Sequence, residues 1–271
     1  MVGQDALRAQ VGPCFTARWE NPRHYMRRLL AEFIGVFGLV FSASGGAAIL
    51  AGHGGAHLAL YQSAMILSGV SALWLVAAVC CFGDISSHFN PATTFAFALR
   101  RDMHWPVACA YFVIQFAAAT AGAATARTLF GLSGRLGAAI PPQGHEWRAV
   151  AFEAILTFGF VLLVLSMANG PRLNGTLTPL AIGAYVMAAG TMGGSYDGAA
   201  FNPARAFGPA FVIGNLTSYW VYPLGSLIGA YFAVLAAILL RGRASSREAQ
   251  TAIGTALGVG APIGQVVQSQ R

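Results

Sequence analysis

The chain has 271 residues, of which 56% are hydrophobic and only 9% are charged, against about 25% charged residues in an average soluble domain. This composition excludes an ordinary soluble fold. The 16 basic residues, all arginine, outnumber 9 acidic residues and give a net charge of +7. They lie in short groups between long apolar stretches, so nucleic acid is not expected as a partner.

Six apolar stretches follow one another along the chain, each with at most one formally charged residue. They cover residues 29–51, 58–82, 103–126, 149–168, 177–196 and 218–240. Each has about the ~20 residues that a helix needs to cross a ~30 Å hydrocarbon layer. Lipid cannot satisfy open backbone, and the alternation typical of a membrane β-barrel is absent, so all six are expected to be helices. The sequence predicts an all-α membrane protein with six transmembrane helices.

Arginine residues between these stretches predict the orientation of the chain. With six spans, twelve arginines are expected on one side of the membrane: Arg8, Arg18, Arg23, Arg27, Arg28, Arg100, Arg101, Arg172, Arg241, Arg243, Arg247 and Arg271. Three are expected on the other side: Arg127, Arg135 and Arg148. The first side is cytoplasmic by the positive-inside rule. The start of the chain lacks the apolar core of a signal peptide. We therefore expect a multi-pass protein of the plasma or inner membrane, with cytoplasmic tails at residues 1–28 and 241–271.

Two short sequences each occur twice, at matching places in the two halves of the chain. Glu-x-Ile-x-x-Phe-Gly lies at residues 32–38 and 153–159, and Phe-Asn-Pro-Ala-x-x-Phe at residues 89–95 and 201–207. Each copy contains three spans, an odd number, so the second copy enters the membrane from the opposite face. The predicted domains are a first repeat at 29–130, an extracytoplasmic linker at 131–147 and an inverted second repeat at 148–240.

Each Asn-Pro-Ala motif precedes a short apolar segment, Thr93 to Leu99 in the first half and Ala206 to Ile213 in the second. Asn favours the N-cap and Pro the first helical position, so a helix is expected to begin at each motif. About two turns cannot cross a bilayer, so these half-helices should dip in from opposite faces and meet midway. Their positive N-terminal ends would oppose cations there. The predicted pore motifs are Asn90, Pro91, Ala92, Asn202, Pro203 and Ala204.

Charged and amide side chains near these motifs predict how a pore would select. The side chain of Arg205 is expected to face a watery path and repel cations, because an intramembrane Arg costs about 2.5–3.5 kcal/mol. The amides of Asn90 and Asn202 can donate to a passing oxygen, which reverses a water chain and blocks proton relay. Glu32 and Glu153, duplicated with the two loops, are expected to accept hydrogen bonds from the backbone before each half-helix. Close helix packing is predicted at Gly35, Gly38, Gly159, Gly183, Gly225 and Gly229.

From about Arg28 to Arg241 the chain resembles the aquaporin, or major intrinsic protein, family. The resemblance is carried by Ala31-Glu32-Phe33, Ser87-His88-Phe89-Asn90-Pro91-Ala92, Gln115, Glu153 and Phe201-Asn202-Pro203-Ala204-Arg205-Ala206-Phe207-Gly208-Pro209. It implies an aquaporin-like fold of six transmembrane helices and two re-entrant half-helices, with Glu32, Glu153, His88 and Gln115 in structural or pore-supporting positions. It also implies a pore in each protomer and a homotetramer.

The resemblance further implies an outer selectivity filter of four residues, one of which is Arg205. Counting back from Asn202 places Gly190 and Ala199 at two other positions, and either Ser71 or Val70 at the fourth. The first loop, residues 83–88, is one residue shorter than the common pattern, so this last choice stays open. All candidates are small, unlike the aromatic and His residues of water-selective members. A wide filter is expected to pass glycerol, urea or undissociated metalloid acids as well as water.

Two other functions compete with a passive channel that excludes protons and ions. A coupled secondary transporter would need an ion site, and Asp84 and Asp197 lie near the loops, but Asp84 is expected in the cytoplasmic loop and Asp197 in the outer vestibule. A membrane enzyme could use His88 beside Ser86 and Ser87, but the second half has no matching His. The cysteines have no metal or redox spacing. We expect no enzyme activity, cofactor or metal; the partners are the lipid bilayer, water and small neutral solutes.

Overall fold

The computed structural model describes residues 22–55, 57–83, 85–168 and 177–242. Most of the two predicted tails, together with Asp84 and Arg172, lies outside the described residues.

Within the described ranges, eight α-helices form the protein. They are α1 (Pro22–Gly52), α2 (Leu60–Phe82), α3 (Pro91–Leu99), α4 (Trp105–Phe130), α5 (Glu146–Ala168), α6 (Thr178–Gly193), α7 (Pro203–Val212) and α8 (Val221–Arg241). A short 3₁₀ segment, Ser133–Gly137, follows α4. Six of the helices correspond to the predicted spans, and α3 and α7 are the two half-helices.

Several helix bounds differ from the predicted ones. Helix α1 begins at Pro22 rather than at residue 29, so the end of the predicted N-terminal tail is helical. The apolar stretch marks only the part of a helix that faces hydrocarbon, and an arginine-bearing turn can extend it into the polar interface. The half-helices begin at Pro91 and Pro203, directly after their Asn N-caps, as the Asn-Pro motifs predict.

Among the described residues, five helices are long and apolar enough to cross a membrane, namely α1, α2, α4, α5 and α8. Helix α6 has 16 residues and begins just after the undescribed residues 169–176. At about 1.5 Å per residue it covers roughly 24 Å, somewhat less than the hydrocarbon layer.

Helix packing follows the internal repeat. The most extensive contacts join α1 to α4 and α5 to α8, which are the first and third spans of each repeat. The middle spans, α2 and α6, pack against each other across the two repeats. Half-helix α3 packs on α8 and α7 packs on α4, so each half-helix contacts the opposite repeat. This exchange places both Asn-Pro motifs in the interior.

Glycine residues allow these helices to approach closely. A Cβ atom added at Gly229 of α8 would lie 2.8 Å from the backbone N of Phe158 and would overlap the carbonyl oxygen of Ala154, both on α5. A Cβ atom added at Gly122 of α4 would lie 2.5 Å from the carbonyl oxygen of Phe37 on α1. Small residues at such contacts are typical of membrane helices that pack by van der Waals contact.

Replacing Gly229 with alanine should therefore destabilise the protein by roughly 1–3 kcal/mol, the usual range for overpacking. The matched control is Gly69→Ala on α2, where the nearest atom to the new methyl group, Met187 Sδ, is 3.6 Å away. That control should keep or raise stability, since Ala gains up to about 1 kcal/mol of helix propensity over Gly. Thermal unfolding of the detergent-solubilised variants measures both. Equal unfolding midpoints would contradict the proposed close contact.

Candidate functional site

The two half-helices begin at asparagine N-caps with the same local geometry. Asn90 has a φ of −156° and Asn202 a φ of −154°, both in extended backbone. Asn90 Oδ1 accepts a hydrogen bond from the N–H of Ala92 at 2.8 Å. Asn202 Oδ1 accepts from the N–H groups of Ala204 and Arg205, both at 3.1 Å. Each side-chain oxygen thus satisfies N–H groups in the first turn of its own half-helix.

The amide nitrogens of the same asparagines join the two repeats. Asn90 Nδ2 donates to the carbonyl oxygen of Phe201, and Asn202 Nδ2 donates to that of Phe89, each at 2.8 Å. The N-termini of α3 and α7 are therefore held next to each other inside the protein. A carboxamide NH₂ has two hydrogens, and these bonds use one of them. The second hydrogen of each amide remains to bind a molecule between the half-helices.

Glu32 anchors the loop before α3. Its Oε1 accepts hydrogen bonds from Ser86 Oγ at 2.7 Å and from the N–H of His88 at 2.8 Å. Its Oε2 accepts from the N–H of Phe89 and from Gln115 Nε2, both at 2.8 Å. Phe89 has a φ of 50°, in the left-handed region that non-glycine residues disfavour. Four donors converge on one carboxylate, and two of them are the amides that fix this strained turn.

Glu153 has the same task in the second repeat. Its two carboxylate oxygens accept from the N–H groups of Ala200 and Phe201, both at 2.6 Å. Phe201 has a φ of 33° and Ala199 a φ of 41°. The N–H of Ala199 donates to Asp197 Oδ1 at 2.9 Å. Two carboxylates therefore hold three successive amides of this loop.

Asp197 departs from its expected place in the outer vestibule. It is only 1% exposed, and the hydroxyl of Tyr222 on α8 donates to its carbonyl oxygen at 2.7 Å. The prediction was wrong because a polar residue beside a loop was assumed to face solvent, whereas the carboxylate of Asp197 is buried and accepts a hydrogen bond from the N–H of Ala199.

A cavity of about 160 Å³ runs past both asparagines. It is lined by Leu39, Ala43, Ala64, Leu67, Ser68, Ser71, Leu75, His88, Phe89, Asn90, Gly137, Ala138, Phe160, Val186, Gly190, Gly194, Gly198, Ala199, Ala200, Phe201, Asn202 and Arg205. The walls combine apolar side chains with a few polar residues, among them Ser68, Ser71 and Arg205. Such a lining suits a small polar molecule without a net charge.

Four of the five residues considered for the filter line this cavity: Ser71, Gly190, Ala199 and Arg205. Val70 does not line it, and its side chain is 36% exposed on another face of α2. The structure thus places Ser71, rather than Val70, beside the other three.

Ser68 is a cavity residue that the sequence reasoning missed. It lies three residues before Ser71 on the same face of α2, a spacing that could have indicated it. Its Oγ donates to the carbonyl oxygen of Ala64 at 2.6 Å, and it packs so tightly on Gly190 that a Cβ there would lie 2.9 Å from Ser68 Cβ. Gly190 is therefore a packing residue of α6 as well as part of the cavity wall.

His88 also lines the cavity and is held from several directions. Its Nδ1 shares a hydrogen bond with Thr94 Oγ1 at 3.0 Å. The imidazole ring lies 4.7 Å from the ring of Phe97 and 5.2 Å from that of Tyr111, between centroids. These contacts make His88 part of the loop support on the side of α3. In the described part of the chain, no group of three or more His, Cys, Asp and Glu residues could hold a metal ion.

The far ends of the half-helices each meet an arginine. Arg127 Nη1 donates to the carbonyl oxygen of Val212, at the end of α7, at 3.0 Å. Arg100 is the C-cap of α3, and its Nε donates to Asp102 Oδ2 at 2.6 Å. A positive group near the C-terminus of a helix stabilises its dipole. A basic group therefore lies at the C-terminal end of each half-helix, and that of Arg100 is paired with Asp102.

Tyr219 supports the start of α7 from the loop before α8. Its hydroxyl donates to the carbonyl oxygen of Pro203 at 3.1 Å. Burial raises the pKa of Tyr219, so the hydroxyl stays protonated and remains a donor.

Known proteins are similar to this chain in sequence. Residues 19–237 match the major intrinsic protein family. The chain is 34% identical over 218 residues to Aquaporin NIP1-1 of Zea mays, covering 80% of this chain and 76% of that protein. It is 36% identical over 215 residues to the probable aquaporin TIP3-2 of Oryza sativa subsp. japonica, covering 76% and 78%.

A solved structure shares the fold. The aquaglyceroporin of Plasmodium falciparum superposes with a TM-score of 0.65 at 21% identity, over 78% of this chain and 94% of that one. This likeness confirms the predicted fold of membrane helices with two half-helices. The sequence match over residues 19–237 and the shared fold together show that the chain belongs to the major intrinsic protein family.

Proposed function

We propose that this member of a channel family conducts water and also larger uncharged solutes, such as glycerol, urea or undissociated metalloid acids. The observation that carries the proposal is the composition of the candidate filter. Ser71, Gly190 and Ala199 present at most a hydroxymethyl group to the cavity, opposite the single long side chain of Arg205. A filter without an aromatic ring leaves room for a molecule with a three-carbon or planar core.

Selection would depend on hydrogen bonds and on charge. The guanidinium of Arg205 and the free amide hydrogens of Asn90 and Asn202 are donors, and they suit solutes that carry hydroxyl or carbonyl oxygens. A cation would meet the charge of Arg205 and then the positive ends of α3 and α7. A neutral solute meets neither barrier, and the apolar walls accept its carbon atoms.

Exclusion of protons would follow from the pair of asparagines. A water molecule that accepts hydrogen bonds from both amides must direct its own hydrogens away from them. The water chain then changes direction at the centre of the pore and cannot pass a proton along its length. Passive conduction of this kind needs no ion site, unlike a coupled transporter.

For the assembly and the location, we propose a homotetramer in the plasma or inner membrane with both termini in the cytoplasm. The distribution of arginines supports the orientation. The single chain exposes large apolar side chains that a tetramer or lipid would cover, among them Leu73 and Val113, each 72% exposed. Mass measurement in detergent together with protease protection of tagged termini tests both points.

Stopped-flow light scattering on proteoliposomes tests the solute proposal. Water, glycerol, urea and boric acid should each enter faster than into empty vesicles. With a proton gradient imposed across the vesicle membrane, a protonophore should leave these rates unchanged, whereas it should slow uptake by a proton-coupled transporter. Fast water flux with no solute uptake above that of empty vesicles would show that the filter is narrow.

A further inference from the structure

We propose that Asp197 is a positioning residue of the filter: it fixes the loop that carries Ala199 and sets a negative charge behind Arg205, which limits the passage of anions. The inference rests on the proposed wide, neutral-solute pore. It adds a residue that lies outside the cavity wall and acts through two residues on that wall.

The first observation is the local geometry of the loop. Asp197 Oδ1 accepts the N–H of Ala199 at 2.9 Å, and both Gly198 and Ala199 have left-handed backbone, with φ of 95° and 41°. Left-handed backbone is energetically unfavourable for alanine, so contacts with the rest of the protein must hold Ala199 in this conformation. The carboxylate of Asp197 supplies one of them. Behind this turn, a Cβ at Gly198 would lie 2.6 Å from the Cα of Ala139, so the loop packs directly on the segment that contains Ala139.

The second observation is a pair of buried polar atoms of opposite charge. Within the part of the chain that the structure describes, neither Asp197 Oδ2 nor Arg205 Nη1 has a hydrogen-bond partner. The two side chains also form no direct ion pair within 4.0 Å among the described residues. A buried carboxylate oxygen without a partner is unfavourable unless a nearby positive charge or a bridging water compensates it. Arg205 is the cation close enough to interact electrostatically with Asp197.

The third observation is the difference between the two repeats. Asp197 precedes Asn202 by five residues, and the residue five before Asn90 is the apolar Ile85. At this spacing only the repeat that carries Arg205 has an acid; the nearest acid before the first motif is Asp84, one residue earlier and outside the described residues. The other groups that face Asp197 are Glu153 of α5 and the hydroxyl of Tyr222 of α8.

The negative charge of Asp197 distinguishes the proposed effect on anions from simple support of the loop. A lone arginine in a wide filter repels cations but attracts anions. A carboxylate behind it reduces the potential felt by an anion, while it leaves the guanidinium free to donate to neutral solutes. The Coulomb interaction is strong over several ångströms because the region between the charges is poorly hydrated.

The test uses Asp197→Asn in the full-length channel. Asparagine keeps an oxygen for the N–H of Ala199 and removes the charge. We expect chloride influx into proteoliposomes, read with an internal chloride-quenched dye, to rise on the order of threefold or more, while glycerol flux changes less than about twofold. Glu146→Gln, which removes an acidic charge at the start of α5 away from the cavity, should leave both fluxes unchanged.

Coupling to Arg205 is tested by a double mutant. If Asp197 acts on the guanidinium, then Asp197→Asn should no longer raise chloride influx in an Arg205→Gln background. Should Asp197→Asn fail to fold by size-exclusion chromatography, Asp197→Ser takes its place, since a Ser hydroxyl can also accept a local backbone N–H. Unchanged chloride influx in a folded variant overturns the charge role. Absence of glycerol flux in the wild-type protein would instead overturn the proposed function.

Discussion

Replacing Ser71 with phenylalanine is expected to reduce glycerol and urea permeability by at least about tenfold, which corresponds to roughly 1.4 kcal/mol added to the barrier, with a much smaller loss of water permeability. Ser71 lines the cavity together with Gly190, Ala199 and Arg205. A phenyl ring at this place would occupy much of the candidate filter and leave a passage for water. Swelling rates of proteoliposomes in each solute give the result.

The matched control is Val70→Phe. Val70 is the neighbour of Ser71 on α2, but it is 36% exposed and absent from the cavity wall. The same ring placed there should leave all permeabilities within about twofold of wild type. If Val70→Phe narrowed the solute range and Ser71→Phe did not, the rotation of α2 described above would be wrong.

Glu153→Gln is expected to lower stability strongly. Both carboxylate oxygens of Glu153 accept backbone N–H groups, from Ala200 and Phe201. Glutamine offers one oxygen and one NH₂ group, so one buried amide loses its acceptor and faces a donor. A buried unsatisfied group costs about 1–3 kcal/mol. The loop that carries Ala199 should loosen, with a lower unfolding midpoint and lower solute flux per channel.

Glu32→Gln should destabilise the protein by a similar amount, because each carboxylate oxygen of Glu32 also accepts one backbone N–H, from His88 or from Phe89. The side chains of Ser86 and Gln115 can adjust to a new NH₂ group, but neither backbone amide can. Glu146→Gln provides the control for loss of an acid outside the loops. A loss at Glu32 much smaller than that at Glu153 would contradict this equivalence of the two repeats.

Local signals explain why much of the fold could be predicted from the sequence. The length of each apolar stretch determines a membrane helix almost by itself. Asn followed by Pro marks a helix start with little help from the rest of the chain, and both half-helices begin at that proline. The duplication of these motifs then predicted that the halves are inverted.

Features that depend on tertiary contacts could not be predicted in this way. Whether Ser71 or Val70 faces the cavity depends on the rotation of α2 about its axis, which is fixed by packing on α6. The residues of Ser133–Gly137 include Arg135 and Leu136 at φ of 50° and 53°. Nothing local favours that backbone; Leu136 adopts it while buried against Ala48 and Ala126. The burial of Asp197 has the same origin.

The crossed bonds of the asparagines have a consequence for biosynthesis. Asn90 reaches a carbonyl group 111 residues further along the chain, and Asn202 reaches back by 113 residues. Until the second repeat has been synthesised and inserted, the first Asn-Pro turn has no partner for its amide. The two bonds that join the asparagines can therefore form only after the second repeat has been synthesised. A truncated or half-folded chain in the bilayer would have no complete pore, so solutes could not leak through it.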